Sequence, residues 1–309
     1  MPYAGEIAAL TTALFWAFTS IFFSEAGKRI GSFNVNKIRL VMAVVIYAVM
    51  MTVITGNPIP SGINSTQLFW LGLSGFVGLV LGDGCGFKAL VIIGPRLMTL
   101  LYSTAPIFAS TIAWLFLGES LRLIDIVGIA ITILGVGWVI TERMHSTQID
   151  KLKRENHADV GSFRKGIILG LGAGFGQGLG LVLAKKGMIF SGDAVSAMPA
   201  SYLRIIVAVI CIWAFSAATG KLGGVKSSLK DWKAMKLSLG GTFFGPFLGV
   251  WLSLLALEYI RTGVAATLNS TTPIIIIPIV MAYYKEQVTW RALFGAIVAV
   301  GGVTILFLT

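Results

Sequence analysis

Apolar runs of about 20 residues recur along the whole 309-residue chain, and this recurrence constrains the fold more than any other feature. About 20 apolar residues in helical conformation span the hydrocarbon core of a bilayer. Only 12% of the residues are charged, about half the usual share of a soluble protein. The sequence therefore predicts an all-α integral membrane protein with ten transmembrane helices, at about 5–24, 36–55, 67–92, 95–117, 122–140, 165–189, 197–219, 234–258, 262–284 and 289–308.

The composition also argues against several other classes of protein. A transmembrane β-barrel would show alternating segments of about ten residues, and the sequence has none. The net charge of +11 comes mostly from basic residues between the apolar runs, where such residues orient membrane helices, so nucleic acid is not an expected partner. Cys85 and Cys211 lie in separate apolar runs, and His145 and His157 share one polar connector. No disulfide, metal site or cofactor is therefore expected.

A charged, aperiodic connector at 141–164 divides the chain into a first repeat at 1–140 and a second repeat at 165–309. Each repeat contains five predicted spans. Because five is odd, the second repeat must be inserted upside down relative to the first. Transporters use such inverted repeats to expose one central cavity to each side of the membrane in turn. The aligned pairs are Gly5/Gly166, Arg39/Arg204, Gly78/Gly245, Gly82/Gly249, Pro106/Pro273, Glu119/Glu286, Gly128/Gly295 and Gly135/Gly302.

The last two spans of each repeat carry the most specific motif. The two stretches are "APIFASTIAWLFLGESLRLIDIVGIAITILGVGWVI" (Ala105–Ile140) and "TPIIIIPIVMAYYKEQVTWRALFGAIVAVGGVTILF" (Thr272–Phe307). Each has a proline within a span, a Gly-Glu or Lys-Glu pair at the following turn, and a last helix rich in glycine. In these residues the chain resembles the ten-helix transporters of the drug/metabolite transporter superfamily, with one EamA-type domain in each repeat. The resemblance implies a transporter but no particular substrate, because this superfamily moves many unrelated metabolites.

The orientation in the membrane stays open. Most of the 24 lysine and arginine residues flank the connections after the odd-numbered spans. The positive-inside rule places that side in the cytoplasm, so that both termini face outward. The family resemblance instead implies cytoplasmic termini. The expected location is a bacterial inner (cell) membrane.

Two polar clusters interrupt apolar spans at matching places, and two explanations for them stay open. "LYSTAPIF" begins at Leu101 in the fourth span, and "LNSTTPII" begins at Leu268 in the ninth. Each proline removes a backbone donor, so the hydroxyls can satisfy the freed carbonyl of a helix kink. Alternatively, the clusters line the central cavity, which makes substrate-binding candidates of Tyr102, Ser103, Thr104, Asn269, Ser270 and Thr271.

Aligned residues that differ between the repeats are the first choice for substrate contact, because an asymmetric molecule needs an asymmetric site. Tyr102 aligns with Asn269, and Trp16 in the first span aligns with Gln177 in the sixth. An aromatic ring facing an amide suits a small organic ligand with a flat or apolar part. Packing in the core or against lipid is the alternative for Trp16.

Three of the charged residues within the predicted spans are candidates for ion coupling or charge contact. Asp83 lies well inside the third span, where a carboxylate costs about 2.5–3.5 kcal/mol on insertion scales and usually serves a function. It is a candidate proton carrier or cation contact, with a structural ion pair to Lys88 or Arg96 as the alternative. Arg39 and Arg204 are predicted to anchor at headgroups on opposite faces of the membrane, with attraction of an anionic substrate as the alternative.

Together these features predict a secondary active transporter with protons as a candidate coupling ion. It would move a small polar or amphipathic metabolite, such as an amino acid, a nucleobase or an organic anion, by alternating access. One alternative is a flippase of the same fold for a lipid or lipid-linked metabolite, and another is a non-transporting receptor or structural subunit. An enzyme is not expected, because no intramembrane histidine could activate a serine. The expected partners are the metabolite, protons and membrane lipids, and the chain acts as a monomer or homodimer.

Overall fold

The secondary-structure elements of the described residues are all helices. The computed structural model describes residues 3–117, 123–145, 160–189, 194–260, 265, 268–285 and 288–305, and no strand occurs among them. The helices are α1 (Ala4–Ile30), α2 (Ser32–Thr55), α3 (Ser65–Gly75), α4 (Asp83–Tyr102), α5 (Ala105–Leu117), α6 (Leu123–His145), α7 (Val160–Ile189), α8 (Ala197–Ala218), α9 (Gly223–Ser228), α10 (Trp232–Thr242), α11 (Val250–Tyr259), α12 (Thr272–Tyr284) and α13 (Trp290–Ile305). Two π-helical segments, π1 (Phe76–Gly82) and π2 (Phe243–Gly249), join α3 to α4 and α10 to α11.

The two ends of the predicted connector are helical. The α6 helix continues to His145, and α7 already begins at Val160. The remainder of the connector lies outside the described residues, as do Glu119 and Glu286 of the repeated motif. The sequence placed the helix ends at the ends of the apolar runs, but helical hydrogen bonding does not have to stop where the side chains become polar.

The helices have the length and surface of a multi-pass integral membrane protein. Among the described residues, six helical segments are long and apolar enough to cross a bilayer: Ala4–Ile30, Ser32–Thr55, Ser65–Tyr102, Ser162–Met188, Ala197–Ala218 and Trp232–Tyr259. Ile126–Val139, Thr272–Tyr284 and Trp290–Ile305 are shorter apolar helices. Val45, Val49 and Val53 form an exposed stripe along one face of α2. A large apolar surface of this kind suits contact with lipid.

The chain reverses direction at Gly94, which separates the predicted third and fourth spans. Gly94 has φ 78° and ψ 167°, outside the helical region, and Pro95 follows it. The segments before and after this turn pack against α7 in opposite directions. Before the turn, the partners of successive α7 positions lie earlier and earlier in the chain, so that segment runs antiparallel to α7: Gly166–Ile93, Gly176–Gly82 and Gly187–Leu71. After the turn, the partners lie later and later, so that segment runs parallel to α7: Gly170–Leu101 and Gly178–Ala109.

The first helix of each repeat packs against the π-helical segment of the other repeat: α1 packs against π2, and α7 packs against π1. In the second repeat, a methyl group added at Gly245 would lie 2.6 Å from the side chain of Thr19 on α1. At the equivalent place in the first repeat, a methyl group added at Gly180 of α7 would lie 3.1 Å from the Cα of Gly78. Small residues permit this close approach of membrane helices. The space enclosed by these crossed helices therefore belongs to both repeats.

The last helices of the two repeats, α6 and α13, contact each other reciprocally. A methyl group added at Gly135 would lie 2.5 Å from the backbone nitrogen of Ala299. One added at Gly302 would lie 2.5 Å from the hydroxyl oxygen of Thr132. Thr132 and Ala299 are aligned residues, so the contact is of the kind made across a two-fold axis. The residue contacted on α6 moves backward as the position on α13 moves forward, so the two helices run antiparallel.

The two π-helical segments occupy matching positions in the repeats, π1 between α3 and α4 and π2 between α10 and α11. The N–H of Asp83 donates to the carbonyl of Gly78, five residues earlier. The N–H of Val250 donates in the same way to the carbonyl of Gly245. Segments of π-helix are rare and occur frequently at functional sites. Here both of them border the space between the repeats.

Candidate functional site

A cavity of about 130 Å³ lies between the two repeats. Its wall combines residues of α1, α2, α4, α5, α7, α11, α12, both π-helical segments and the turn before α12. Most of the candidate site residues line it: Trp16, Arg39, Asp83, Tyr102, Ser103, Gln177, Asn269 and Ser270. Thr104, Thr271 and Arg204 are not part of its wall. Across the described part of the chain, no group of three or more His, Cys, Asp or Glu side chains could hold a metal ion.

The hydroxyls of Thr104 and Thr271 bond to backbone carbonyls of the same segments. Thr104 donates to the carbonyl of Leu101 over 2.6 Å, and Thr271 donates to the carbonyl of Leu268 over 2.7 Å. These two bonds occupy equivalent positions in the repeats. Leu101 and Leu268 lie five residues before Pro106 and Pro273, and their carbonyls also accept from the backbone N–H groups of Thr104 and Thr271. The two hydroxyls are therefore directed to the backbone, but not to the carbonyls that the prolines leave free.

In the second repeat, a further hydroxyl satisfies the carbonyl that the proline leaves free. Thr272 donates to the carbonyl of Asn269, four residues before Pro273, over 2.8 Å. The aligned residue in the first repeat is Ala105, which has no hydroxyl. Thr272 also lines the cavity, a role that the sequence analysis did not assign to it.

Tyr102 and Asn269 occupy aligned positions but make different contacts. The hydroxyl of Tyr102 lies 3.5 Å from Oδ1 of Asp83, and its ring meets Trp16 edge-on, with the ring centroids 5.4 Å apart. Asn269 donates to the hydroxyl of Ser253 over 3.4 Å. Its Oδ1 is buried without a hydrogen-bond partner in the described structure. The cavity therefore has an aromatic side and an amide side.

Asp83 forms an ion pair with Arg39 and not with Lys88 or Arg96. Nη2 of Arg39 donates to Oδ2 of Asp83 over 2.6 Å. The alternative partners considered from the sequence are therefore wrong, because α2 packs against α4 and brings a residue 44 positions away into contact. Arg39 is 3% exposed, so its predicted position at the headgroups is also wrong. A buried pair of this kind compensates two charges that would each be costly alone.

The π1 segment presents a backbone carbonyl to the same guanidinium. The carbonyl of Leu79 accepts from Nη2 of Arg39 and from Nδ2 of Asn36, each over 3.4 Å. Arg39 also donates through Nε to Oδ1 of Asn36 over 2.9 Å. The N–H of Asp83 bonds to the carbonyls on either side of Leu79 and passes over it. The π-helical turn thus helps to fix the orientation of the arginine.

The equivalent carbonyl in the second repeat accepts from a tyrosine. Tyr47 donates to the carbonyl of Pro246, which aligns with Leu79, over 3.3 Å. It also donates to the carbonyl of Phe247 over 3.0 Å. Asn36 and Tyr47 were not among the residues predicted for the site. Their only signal was the position of polar side chains within an otherwise apolar α2.

Arg204 is buried behind the cavity wall. It is 2% exposed, so its predicted position at the headgroups is wrong as well. Its backbone packs so closely on Gly75 that a Cβ there would collide with the carbonyl oxygen of Arg204. A methyl group added at Gly78 would lie 3.4 Å from Nη2 of Arg204 and 3.8 Å from Oε1 of Gln177. The guanidinium therefore lies beside the cavity-lining Gln177.

Comparison with known proteins places both repeats in one family. A model of the EamA-like transporter family matches residues 3–141 and 164–308. The chain belongs to the EamA-like transporter family. The EamA-like chain is therefore a membrane transporter of the general drug/metabolite class, a family that is generally non-enzymatic.

Solved structures support the same fold. One crystal structure superposes with a TM-score of 0.64, over 100% of this chain and 98% of that chain. At 13% sequence identity, this likeness concerns the fold alone. No curated protein matches the sequence of this EamA-like chain.

Proposed function

We propose that this EamA-like chain is a secondary active transporter that moves a small polar or amphipathic metabolite by alternating access. Its helices would form ten spans, arranged as two inverted five-helix repeats around the central cavity. The antiparallel contact between α6 and α13 supports this arrangement, because equivalent helices of inverted repeats must run in opposite directions.

The observation that carries the proposal is the cavity enclosed by helices of both repeats. A binding site between two repeats becomes accessible from either side when one repeat rocks against the other. The wall combines aromatic and apolar surface with a few polar groups, as is typical of small-molecule sites. A thermal-shift screen of the purified protein against a metabolite panel would identify ligands. Counterflow of those ligands in proteoliposomes then tests transport, and binding without flux would favour a receptor.

Asn269 is proposed as an asymmetric substrate contact, because its buried Oδ1 has no hydrogen-bond partner in the described structure. Replacing it with alanine should weaken binding of an identified ligand by about tenfold, which is the loss of one hydrogen bond of about 1.4 kcal/mol. Isothermal titration calorimetry would measure the change. The matched control is Thr271→Ser, which keeps the hydroxyl that bonds to the Leu268 carbonyl. Equal affinities of the Asn269→Ala variant and the wild type would exclude this contact.

Asp83 is proposed to couple transport to protons. It lines the cavity, and a proton on its carboxylate would compete with the bond from Arg39. Asp83→Asn should therefore abolish the dependence of uptake on a pH gradient while ligand binding persists. Uptake into proteoliposomes with and without an imposed gradient measures this. Coupling through Asp83 is ruled out if the variant still responds to the gradient as the wild type does.

A further inference from the structure

We propose that the substrate carries a net negative charge, as a carboxylate or a comparable monoanion, and that Arg204 supplies the positive charge that selects it. This inference rests on the proposed transport function and names the substrate class for the same cavity.

The charged groups beside the cavity do not balance. Arg39 and Asp83 neutralise each other across a contact of 2.6 Å. Arg204 is 2% exposed, and within the described ranges no carboxylate forms an ion pair with it. Its buried Nε also has no hydrogen-bond partner there. These three groups together carry one net positive charge beside the cavity.

The positive charge of Arg204 acts on groups that line the cavity. Arg204 interacts electrostatically with both Asp83 and Tyr102, which line the cavity. A Cβ on Gly78 of π1 would lie 3.4 Å from Nη2 of Arg204 and 3.8 Å from Oε1 of Gln177, another lining residue. Charges interact several times more strongly inside a protein than in water. A ligand in the cavity therefore experiences a positive potential from Arg204.

An unbalanced buried charge at Arg204 lowers the stability of the protein. A buried cation without a counterion is destabilising, and intramembrane charges usually pair with each other or mark a substrate pathway. In the second repeat, the position that aligns with Asp83 is occupied by Val250. Arg204 therefore lacks the carboxylate that its aligned residue Arg39 has. An anionic substrate would supply the missing charge.

The remaining wall indicates what else the anion carries. The edge-on pair of Trp16 and Tyr102 provides an aromatic surface for an apolar part. Oε1 of Gln177 and Oδ1 of Asn269 are buried acceptors without partners among the described residues. They would receive hydrogen-bond donors of the substrate. The class is thus an organic anion with an apolar body and at least one N–H or O–H group.

Matched pairs of carboxylic acids and their primary amides test the charge directly. The probes are benzoate and benzamide, phenylacetate and phenylacetamide, and the corresponding hydroxyl-substituted pairs, bound to the full-length protein in detergent. Each amide has nearly the shape of its acid but no charge. In the wild type the carboxylate should bind at least about tenfold more tightly, a ratio that corresponds to about 1.4 kcal/mol. Isothermal titration calorimetry would measure the ratio of the dissociation constants.

Variants that change the charge count should shift this ratio in a fixed order. Arg204→Gln should bring it close to one, Arg204→Lys should largely keep it, and Asp83→Asn should raise it. The double variant Asp83→Asn/Arg204→Gln again has one net positive charge, so it should regain a preference for the carboxylate. A purely structural role of Arg204 would not produce this rescue.

Several outcomes would overturn the inference. They are equal binding of amides and acids, a panel in which no carboxylate binds, an unchanged ratio in Arg204→Gln, or a double variant that stays near one. Counterflow separates these failures from failure of the proposed transport. Neutral amides that exchange while carboxylates do not would overturn the charge selection alone. Carboxylates that bind without exchanging would overturn transport alone.

Discussion

Replacing Arg39 with glutamine should lower the stability of the folded transporter by about 3–5 kcal/mol, because it leaves the Asp83 carboxylate, whose side chain is only 16% exposed, without its counterion. The pair is held at 2.6 Å. Arg39 also stacks against Phe87, with its Cζ 4.7 Å from the ring centroid, and donates to Asn36. Loss of these contacts adds to the electrostatic cost.

The measurement is the unfolding temperature of the purified protein in detergent, compared with that of the double variant Arg39→Gln/Asp83→Asn. The double variant removes both charges, so it should recover a large part of the lost stability. Recovery should be incomplete, because the contact of Arg39 with Phe87 is still missing. Additive losses from the two single substitutions would contradict a coupled pair, since interacting residues give non-additive changes.

The register between the repeats could be predicted from the sequence because it rests on residues with special backbone roles. Glycines at helix contacts cannot be exchanged freely, so Gly135 and Gly302 align in the sequence. In the structure they contact Ala299 and Thr132, which are themselves aligned. The repeat also predicted the matching kinks, because Pro106 and Pro273 impose the same loss of a backbone donor in both halves.

The ion partner of Asp83 could not be predicted in the same way. The partners predicted for Asp83 lie close to it along the chain, whereas Arg39 lies 44 positions earlier on another helix. Which faces of α2 and α4 meet depends on their packing, and a mostly apolar span shows little periodicity from which to read it. The scarcity of intramembrane carboxylates was the usable signal, since each should face a cation or water.

The π-helical segments were likewise not predicted, although the sequence marks their position. Two glycines four residues apart occur in each repeat, Gly78 and Gly82 in the first and Gly245 and Gly249 in the second, and each π-helical segment ends at the later one. In the sequence, these glycines served only to align the repeats. A glycine pair does not distinguish close helix packing from a change in the hydrogen-bond pattern, because both need a position without a side chain.

Substituting Gly75 with alanine should destabilise the transporter by about 3 kcal/mol or more. The new Cβ would collide with the carbonyl oxygen of Arg204, and the carbonyl carbon and Cα of Arg204 lie 2.8 and 2.9 Å away. Backbone atoms cannot move aside as the end of a flexible side chain can, so α8 must shift as a whole. Overpacking of this kind typically costs 1–3 kcal/mol, with larger values where relief is impossible.

Gly301→Ala is the matched control, because a Cβ there has no neighbour within 4 Å in the part of the chain that the structure describes. It lies in the helix α13, where alanine is favoured over glycine by up to about 1 kcal/mol, so the control should melt at an equal or higher temperature. The unfolding temperatures of both variants in detergent provide the comparison, and similar values would show that α3 and α8 are not in such close contact. Any Gly75→Ala protein that folds should also lose its preference for carboxylates, because the shift of α8 carries the guanidinium of Arg204 away from the cavity.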